Sequence, residues 1–424
     1  MHNNPLKIPE LIRRISRYVT TNDATACARV CKAWSDHFVS AIWYTIDFTT
    51  HKRVKTKTLE RHGRHIRIVK NIKELDHIMA LISSDARLRQ ISIIMTATPE
   101  FYAYFSDLLR QNSAVLERLT MTRNAFSSLL KACPTLINLH IRGTALLSTL
   151  VHNSDARCYK HARVTNLSAP VEQVFKVDDR FKDTPSLFVH FPNLKTWRTW
   201  KSASNIDIPS KLIQNEVVRC CPMLTTLATS YPVPMTINLL TQVFDNLTCI
   251  IIQNNHLSVD LVMAILKHQE TLTCIYTFKP PGDLFDNGVV PKVGSTAIDT
   301  DGWVIQSIPR LCPQLISLQF PLYEMDMDDN EKSKWGCHDL ICLYIRVRGL
   351  DTKKKIDQAI QLWQEGRVVT MKKQGKQKKA SNGCQWSIGI HPSDNSIEAR
   401  VARHLLKFKK LREVWLGWKI RKVA

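Results

Sequence analysis

"ACPTLINLHI", residues 132–141, recurs in outline as "CCPMLTTLAT" at 220–229 and "LCPQLISLQF" at 311–320. In each, Cys-Pro precedes apolar residues spaced L-x-x-L-x-L: Leu136-Leu139-Ile141, Leu224-Leu227-Thr229 and Leu315-Leu318-Phe320. Alternation over the last three positions is the strand period, so the pattern predicts a short strand with one buried face. Proline has no N–H to continue a helix and so marks the end of the preceding one. Cysteine is small enough to pack beneath the strand that follows.

The same spacing extends outward without Cys-Pro. It occurs at Leu88-Ile91-Ile93, Leu116-Leu119-Met121, Val164-Leu167-Ala169 and Leu194-Trp197-Thr199. Further on come Leu247-Ile250-Ile252, Leu272-Ile275-Thr277, Leu340-Leu343-Ile345 and Leu411-Val414-Leu416. Successive copies mostly start 20 to 30 residues apart, with longer gaps after 272 and 340. That period matches, with some overrun, the leucine-rich-repeat range of about 20–29 residues. Intervening stretches such as "FYAYFSDLLRQ" (101–111) and "VDLVMAILKHQ" (259–269) read as helices. One strand–helix unit cannot bury its own apolar face, so neighbours must stack. The expected fold is therefore α/β: an irregular leucine-rich-repeat solenoid over residues 81–424, with a curved parallel sheet. Residues 280–300 read as an inserted loop and 366–396 as a basic low-complexity loop. Residues 397–424, a basic helix and a final strand with Trp415 and Trp418, read as the terminal cap.

The 44% hydrophobic and 23% charged content suits a folded chain rather than a disordered one. Net charge is +22, with +8 in residues 51–73, +6 in 351–379 and +8 in 400–424, leaving the rest near neutral. Such clustering suits an anionic partner, or simply solvated helix faces. Neither a signal peptide nor an apolar run near the ~20 residues of a membrane span is visible. The expected location is cytoplasmic, nuclear or both, with no membrane partner. The 12 cysteines are scattered and form no disulfide framework, as in a reducing compartment.

Catalytic motifs are missing: no Gly-rich phosphate loop, HExxH or G-x-S-x-G occurs. Cys158 and His161, with His152 nearby, lack a second pair at zinc-site spacing. The acidic run Glu324, Asp326, Asp328, Asp329 and Glu331 lacks the Gly and distal Glu of a calcium loop. The expectation is a non-enzymatic protein with no metal and no cofactor.

The front of the chain differs from the repeats. Ile8, Leu11, Ile12, Ile15 and Val19 follow helical spacing, with Pro9 and Glu10 in the first turn. Asp23 is the expected cap of a second helix carrying Cys27, Val30, Cys31 and Trp34; Phe38 and Ile42 begin a third, ending near Trp43. Three short helices in about 40 residues bury too little to be stable without a partner or the rest of the chain. Residues 1–50 are thus expected as a helical module and 51–80 as a basic connecting segment.

Ile8-Pro9-Glu10-Leu11, Ile15, Tyr18-Val19, Asp23 and Val30-Cys31-Lys32-Ala33-Trp34 resemble an F-box in order and spacing. The match departs where no residue separates Pro9 from Glu10, and where Ala24, Thr25 and Ala26 replace larger apolar residues. The resemblance implies a substrate adaptor of an SCF-type cullin–RING ubiquitin ligase. The module would dock on the Skp linker subunit, and through it on cullin, using Leu6, Ile8, Pro9, Glu10, Leu11, Ile15, Tyr18, Val19, Val30, Cys31 and Trp34. The repeats would hold the protein to be ubiquitinated. A nucleic-acid-binding or other non-catalytic scaffold using the basic surface is the alternative.

Strand residues between and after the repeat leucines are expected to line the concave face. They include His140, Arg142, Arg198, Trp200, Tyr344, Arg346 and Trp415. Arginine and large aromatics dominate binding hot spots, and arginine forks match carboxylate or phosphate pairs. An acidic or phosphorylated protein segment is the expected substrate feature.

Overall fold

The computed structural model describes residues 8–16, 18–51, 54–93, 99–121, 130–141, 159–175, 186–200, 209–231, 233–252, 257–277, 302–331, 334–376, 394–416 and 421–422. Its contacts divide the chain into two units. One comprises Met1–Arg198, Ser202–Ile208 and Glu216–Met223, the other Thr199–Lys201, Pro209–Asn215 and Leu224–Ala424.

The Cys-Pro punctuation works as read. Helical residues 130–132, Ser210–Cys220 and Gly302–Leu311 each stop directly before Cys133, Cys221 and Cys312. All three cysteines are buried. Cys221 makes long thiol contacts with the carbonyls of Phe188 (3.8 Å) and Phe191 (3.5 Å). In two repeats that lack Cys-Pro, a polar side chain fills the helix end. Asn112 and His268 sit four residues before Leu116 and Leu272. Asn112 Oδ1 accepts the Leu88 N–H at 2.5 Å, and His268 Nδ1 accepts the Leu247 N–H at 3.3 Å. Each therefore satisfies the backbone of the preceding repeat, which a buried donor requires.

The first unit holds β1 (Thr45–Asp47), β2 (Ile68–Ile72), β3 (Gln90–Ile93), β4 (Arg118–Met121), β5 (Asn138–Ile141), β6 (Asn166–Ser168) and β7 (Thr196–Thr199). They pair in parallel and in chain order. The register aligns Ile46, Val69, Ile91, Leu119, Leu139, Leu167 and Trp197, all buried, into one continuous row. The second unit holds β8 (Thr226–Thr229), β9 (Cys249–Ile252), β10 (Cys274–Tyr276), β11 (Ser317–Met325), β12 (Cys342–Val347), β13 (Glu413–Leu416) and β14 (Arg421–Lys422). Here Leu227, Ile250, Ile275, Leu318, Leu343 and Val414 form the equivalent row. These strands are parallel apart from β14, which folds back on β13 and covers an edge. Every apolar triplet read from the sequence is buried. Truncation within either row opens a void at the centre of a strand stack. Leu227→Ala is expected to cost about 2–5 kcal/mol in urea-induced unfolding.

The strand ladder starts earlier than expected. Residues 51–80 are not a connector: helices Thr56–His62 and Leu75–Ser83 flank β2, and β1 lies inside the segment assigned to the helical module. A one-residue bulge hid β2. Val69 pairs with Ile91 but Ile72 pairs with Ile93, leaving Asn71 as the extra residue at φ 60°. Asparagine tolerates that left-handed backbone, and its amide donates to Asp47 Oδ1 at 2.9 Å. Burial pushes the Asp47 carboxyl up, but hydrogen bonds from Asn71 and Thr49 outweigh it and hold the group below its ordinary value.

At the other end, helix Lys353–Lys376 runs through the first part of the segment read as a basic loop. Residues 377–393, the 280–300 insertion and Trp418 lie outside the described residues. Among the described residues no helix is long and apolar enough to cross a membrane.

Candidate functional site

Three helices form the front module: α1 (Pro9–Ile15), α2 (Thr21–Ala28) and α3 (Lys32–Trp43). Proline at the first helical position and Glu10 start α1 as its sequence suggests. The cap of α2 is Thr20, not Asp23. The Asp23 N–H donates to Thr20 Oγ1 at 3.2 Å, and the Thr20 hydroxyl donates to the Asp23 carboxylate at 2.7 Å. Asp23 is thus the third residue of the helix, held to the cap through both its N–H and its carboxylate. The spacing of Cys27, Val30, Cys31 and Trp34 does not mark one helix. The chain turns at Arg29 and Val30, and Cys31 is extended (φ −162°, ψ 168°) at the start of α3.

That break separates the apolar residues into two sets. Ile12, Ala24 and Phe38 make the module's core, with Val19, Cys27, Trp34 and Ile42 packed against it. Trp34 stacks on Phe38 at 5.6 Å. Ile8, Leu11, Ile15, Tyr18 and Val30 point away from this core and are 39%, 40%, 42%, 82% and 64% exposed. Pro9, Glu10 and Cys31 are also exposed, and Leu6 lies outside the described residues. Exposed large apolar residues scattered singly are ordinary, whereas five on one small module stand out from that background. Arg13 and Arg14 accompany them on the exposed turns of α1.

The residues expected on a concave repeat face divide differently. In the first unit His140, Ser168 and Arg198 share one register row across β5, β6 and β7. His140 is buried, flanked by Thr120 and Ser168, which are buried as well. Strands spaced at ~4.8 Å leave a mid-sized side chain little solvent between its neighbours. Arg198 is half-buried. The more open row lies one pleat earlier, at Arg118, Asn138, Asn166 and Thr196. Periodicity could have indicated that row, because it shares the same face two residues before the one chosen. Arg142 lies outside the described residues, and Trp200 is a half-buried residue of the second unit.

The second unit brings Tyr344, Arg346 and Trp415 together. Tyr344 meets the Trp415 ring edge-on at 5.0 Å, and its hydroxyl donates to Glu413 Oε2 at 3.0 Å. Tyr344 is buried rather than open, because Trp415 covers it. Burial and the Glu413 carboxylate push its phenol above the ordinary range. Burial pulls the Arg346 guanidinium down, partly offset by Glu324 across the β11–β12 pair. Trp415 and Arg346 keep partial exposure and are the members able to meet a ligand.

Other candidate groups have structural partners. His161 Nε2 donates to the Cys133 carbonyl at 2.8 Å; His152 and Cys158 lie outside the described residues. Arg348 pairs with Asp326 at 3.0 Å and Arg400 with Glu331 at 3.0 Å, tying down the acidic run. Among the described residues no three His, Cys, Asp or Glu side chains are grouped to hold a metal ion. No protein-family model matches the chain, and no curated protein sequence matches it.

Proposed function

We propose that the chain is a non-catalytic adaptor whose front module acts as an F-box. It docks on the Skp linker subunit of a cullin–RING ubiquitin ligase, while the strand–helix units, read as irregular leucine-rich repeats, hold the protein to be ubiquitinated. One observation carries this reading: the five exposed apolar residues on α1, the α1–α2 turn and the α2–α3 turn. Fully burying a large apolar side chain contributes about 1.5–3 kcal/mol. Five such residues give a partner ample driving force, and a module with so small a core gains order from that partner.

In the second unit, Trp415 and Arg346 offer an aromatic edge and a guanidinium to an acidic protein segment. The test is affinity capture from cells with the proteasome blocked. The full chain should bring down the linker, cullin and at least one further protein. Arg346→Glu with Trp415→Ala should lose that further protein and keep the linker. Capture of nucleic acid without linker or cullin refutes the adaptor reading.

A further inference from the structure

The second unit carries a row of reactive groups that neither docking nor packing explains. Register pairs place Thr226, Cys249, Cys274, Ser317, Cys342 and Glu413 side by side across six parallel strands. Residues paired in register project to one face of a sheet. Cys249 and Cys274 are direct neighbours, and both are half-buried rather than sealed.

Their surroundings are asymmetric. Cys249 stands directly beside Cys274 on the next strand, and Tyr276 follows two residues later on the same face as Cys274. Ser317 lies beside Cys274 on its other side and accepts a hydrogen bond from Gln319 Nε2 at 3.3 Å, and Thr226 lies beside Cys249. The Thr273 hydroxyl also lies 3.7 Å from Cys274 Sγ, but its one proton is better placed on the Thr248 carbonyl at 2.9 Å. Cys274 is therefore flanked by a thiol on one side and a hydroxyl on the other, with a phenol on the same face of its own strand. Charge-assisted hydrogen bonds favour the thiolate, so Cys274 is held below the ordinary thiol range while Cys249, the donor, is held above it. The contrast within the chain is sharp. Burial pushes Cys133, Cys312 and Cys337 up to about 12, and burial with Glu413 pushes Cys342 up to about 11.

We propose that Cys274 and Cys249 are a peroxide-reactive dithiol, with Cys274 the attacking and Cys249 the resolving residue. The Cys274 thiolate attacks one oxygen of a hydroperoxide, and the O–O bond breaks. Cys274 becomes a sulfenic acid, and the leaving oxygen takes a proton to depart as water or an alcohol. The Cys249 sulfur then attacks the sulfenic sulfur. The S–O bond breaks, an S–S bond forms, and the Cys249 proton leaves with the hydroxyl as water. The peroxide is reduced by two electrons and the two thiols are oxidised to a disulfide. Geometry permits the product: neighbouring strands lie ~4.8 Å apart, within the ~4.4–6.8 Å Cα spacing of disulfides. The bridge would form one row before Tyr276, Gln319, Tyr344 and Trp415, and so beside the face proposed to meet substrate.

The test treats the full chain with stoichiometric hydrogen peroxide, then blocks free thiols and maps peptides without reductant. The expected result is an intact mass lower by about 2 Da, for the two hydrogens lost, and a linked Cys249–Cys274 peptide. Cys249→Ser should stop at sulfenic acid on Cys274, trapped by dimedone. Tyr276→Phe keeps both thiols and removes a donor. At pH 5, where the thiolate is the minor form, it should slow disulfide formation about tenfold, the thiolate change given by one pKa unit. First oxidation at exposed Cys31 or at Cys342, with Cys249 and Cys274 still alkylated, overturns the assignment. An unchanged rate in Tyr276→Phe counts against Cys274 as the attacking thiol. Wild-type mapping and Tyr276→Phe keep the proposal testable should the cysteine variants fail to fold.

Discussion

Ile8→Asp with Leu11→Asp is expected to abolish capture of the linker subunit while leaving the chain folded. Both residues are well exposed, so the substitutions add charge where water already reaches and disturb little in the unbound protein. In the complex each carboxylate would lose water at a contact made by apolar residues. Covering the exposed two-fifths of both side chains is worth about 1–2 kcal/mol, and burying unpaired charge costs more than that again. Affinity should drop by at least a hundredfold, since each 1.4 kcal/mol is tenfold. The check is titration of the purified linker against wild-type and variant chains, with circular dichroism to show equal helix content. The informative control is Ile12→Asp. Ile12 sits one residue from Leu11 but is buried with Ala24 and Phe38, so its substitution should unfold the module itself. Wild-type affinity in the double variant would remove the docking proposal. Equal folding losses in both variants would show that the exposed face is structural.

That contrast shows what the sequence could reveal of this site. Ile8, Leu11, Ile12 and Ile15 all satisfy one helical period, and the period cannot say which of them pack into the module's core and which stay exposed. The repeats were more legible, because every strand repeats the same demand. Trp197 and Val414 differ widely in size, yet both, like Leu167, occupy the buried middle place of their triplets. Two strands escaped for local reasons. At β1 the triplet Trp43-Ile46-Phe48 begins on the last residue of α3, so helix and strand periods overlap. At β2 the bulge at Asn71 stretches the triplet to Ile66-Val69-Ile72. The open face was the hardest to read. His140 and Tyr344 lie on the face that alternation assigns them, but burial there depends on neighbours far away in sequence, such as Trp415 over Tyr344. The thiol row has the same origin: Cys249, Cys274 and Cys342 are ordinary in sequence and become a row only through strand register.

The second large effect is expected at His404, where acid should destabilise the chain and His404→Phe should remove much of that sensitivity. His404 lies in helix Ile397–Leu406, 3% exposed, with the Trp335 ring at 4.8 Å and Phe408 at 5.3 Å. Among the described residues neither ring nitrogen has a hydrogen-bond partner. Burial, with a smaller contribution from Lys407, pulls its pKa down to about 3. The folded state therefore holds a neutral imidazole, while the unfolded chain protonates near the ordinary value of about 6.5. For a depressed histidine, stability is complete above the unfolded pKa and is lost as pH falls from there toward the folded one. The slope approaches 1.36 kcal/mol per pH unit, so about 2 kcal/mol should disappear between pH 6.5 and 5. Phenylalanine has a similar shape, needs no hydrogen bond and cannot take up a proton. At pH 7 it should leave stability unchanged or raise it by about 1–2 kcal/mol, because it removes a desolvated polar group left without a partner. The measurement is urea unfolding of both proteins at pH 7, 6 and 5. Other histidines with lowered values, His62, His65 and His268, are common to both and cancel in the difference. The gap in favour of His404→Phe should widen as pH falls. Parallel pH dependence in the two proteins would mean that His404 is solvated or paired in solution, and the aromatic enclosure would not be the source of the acid sensitivity.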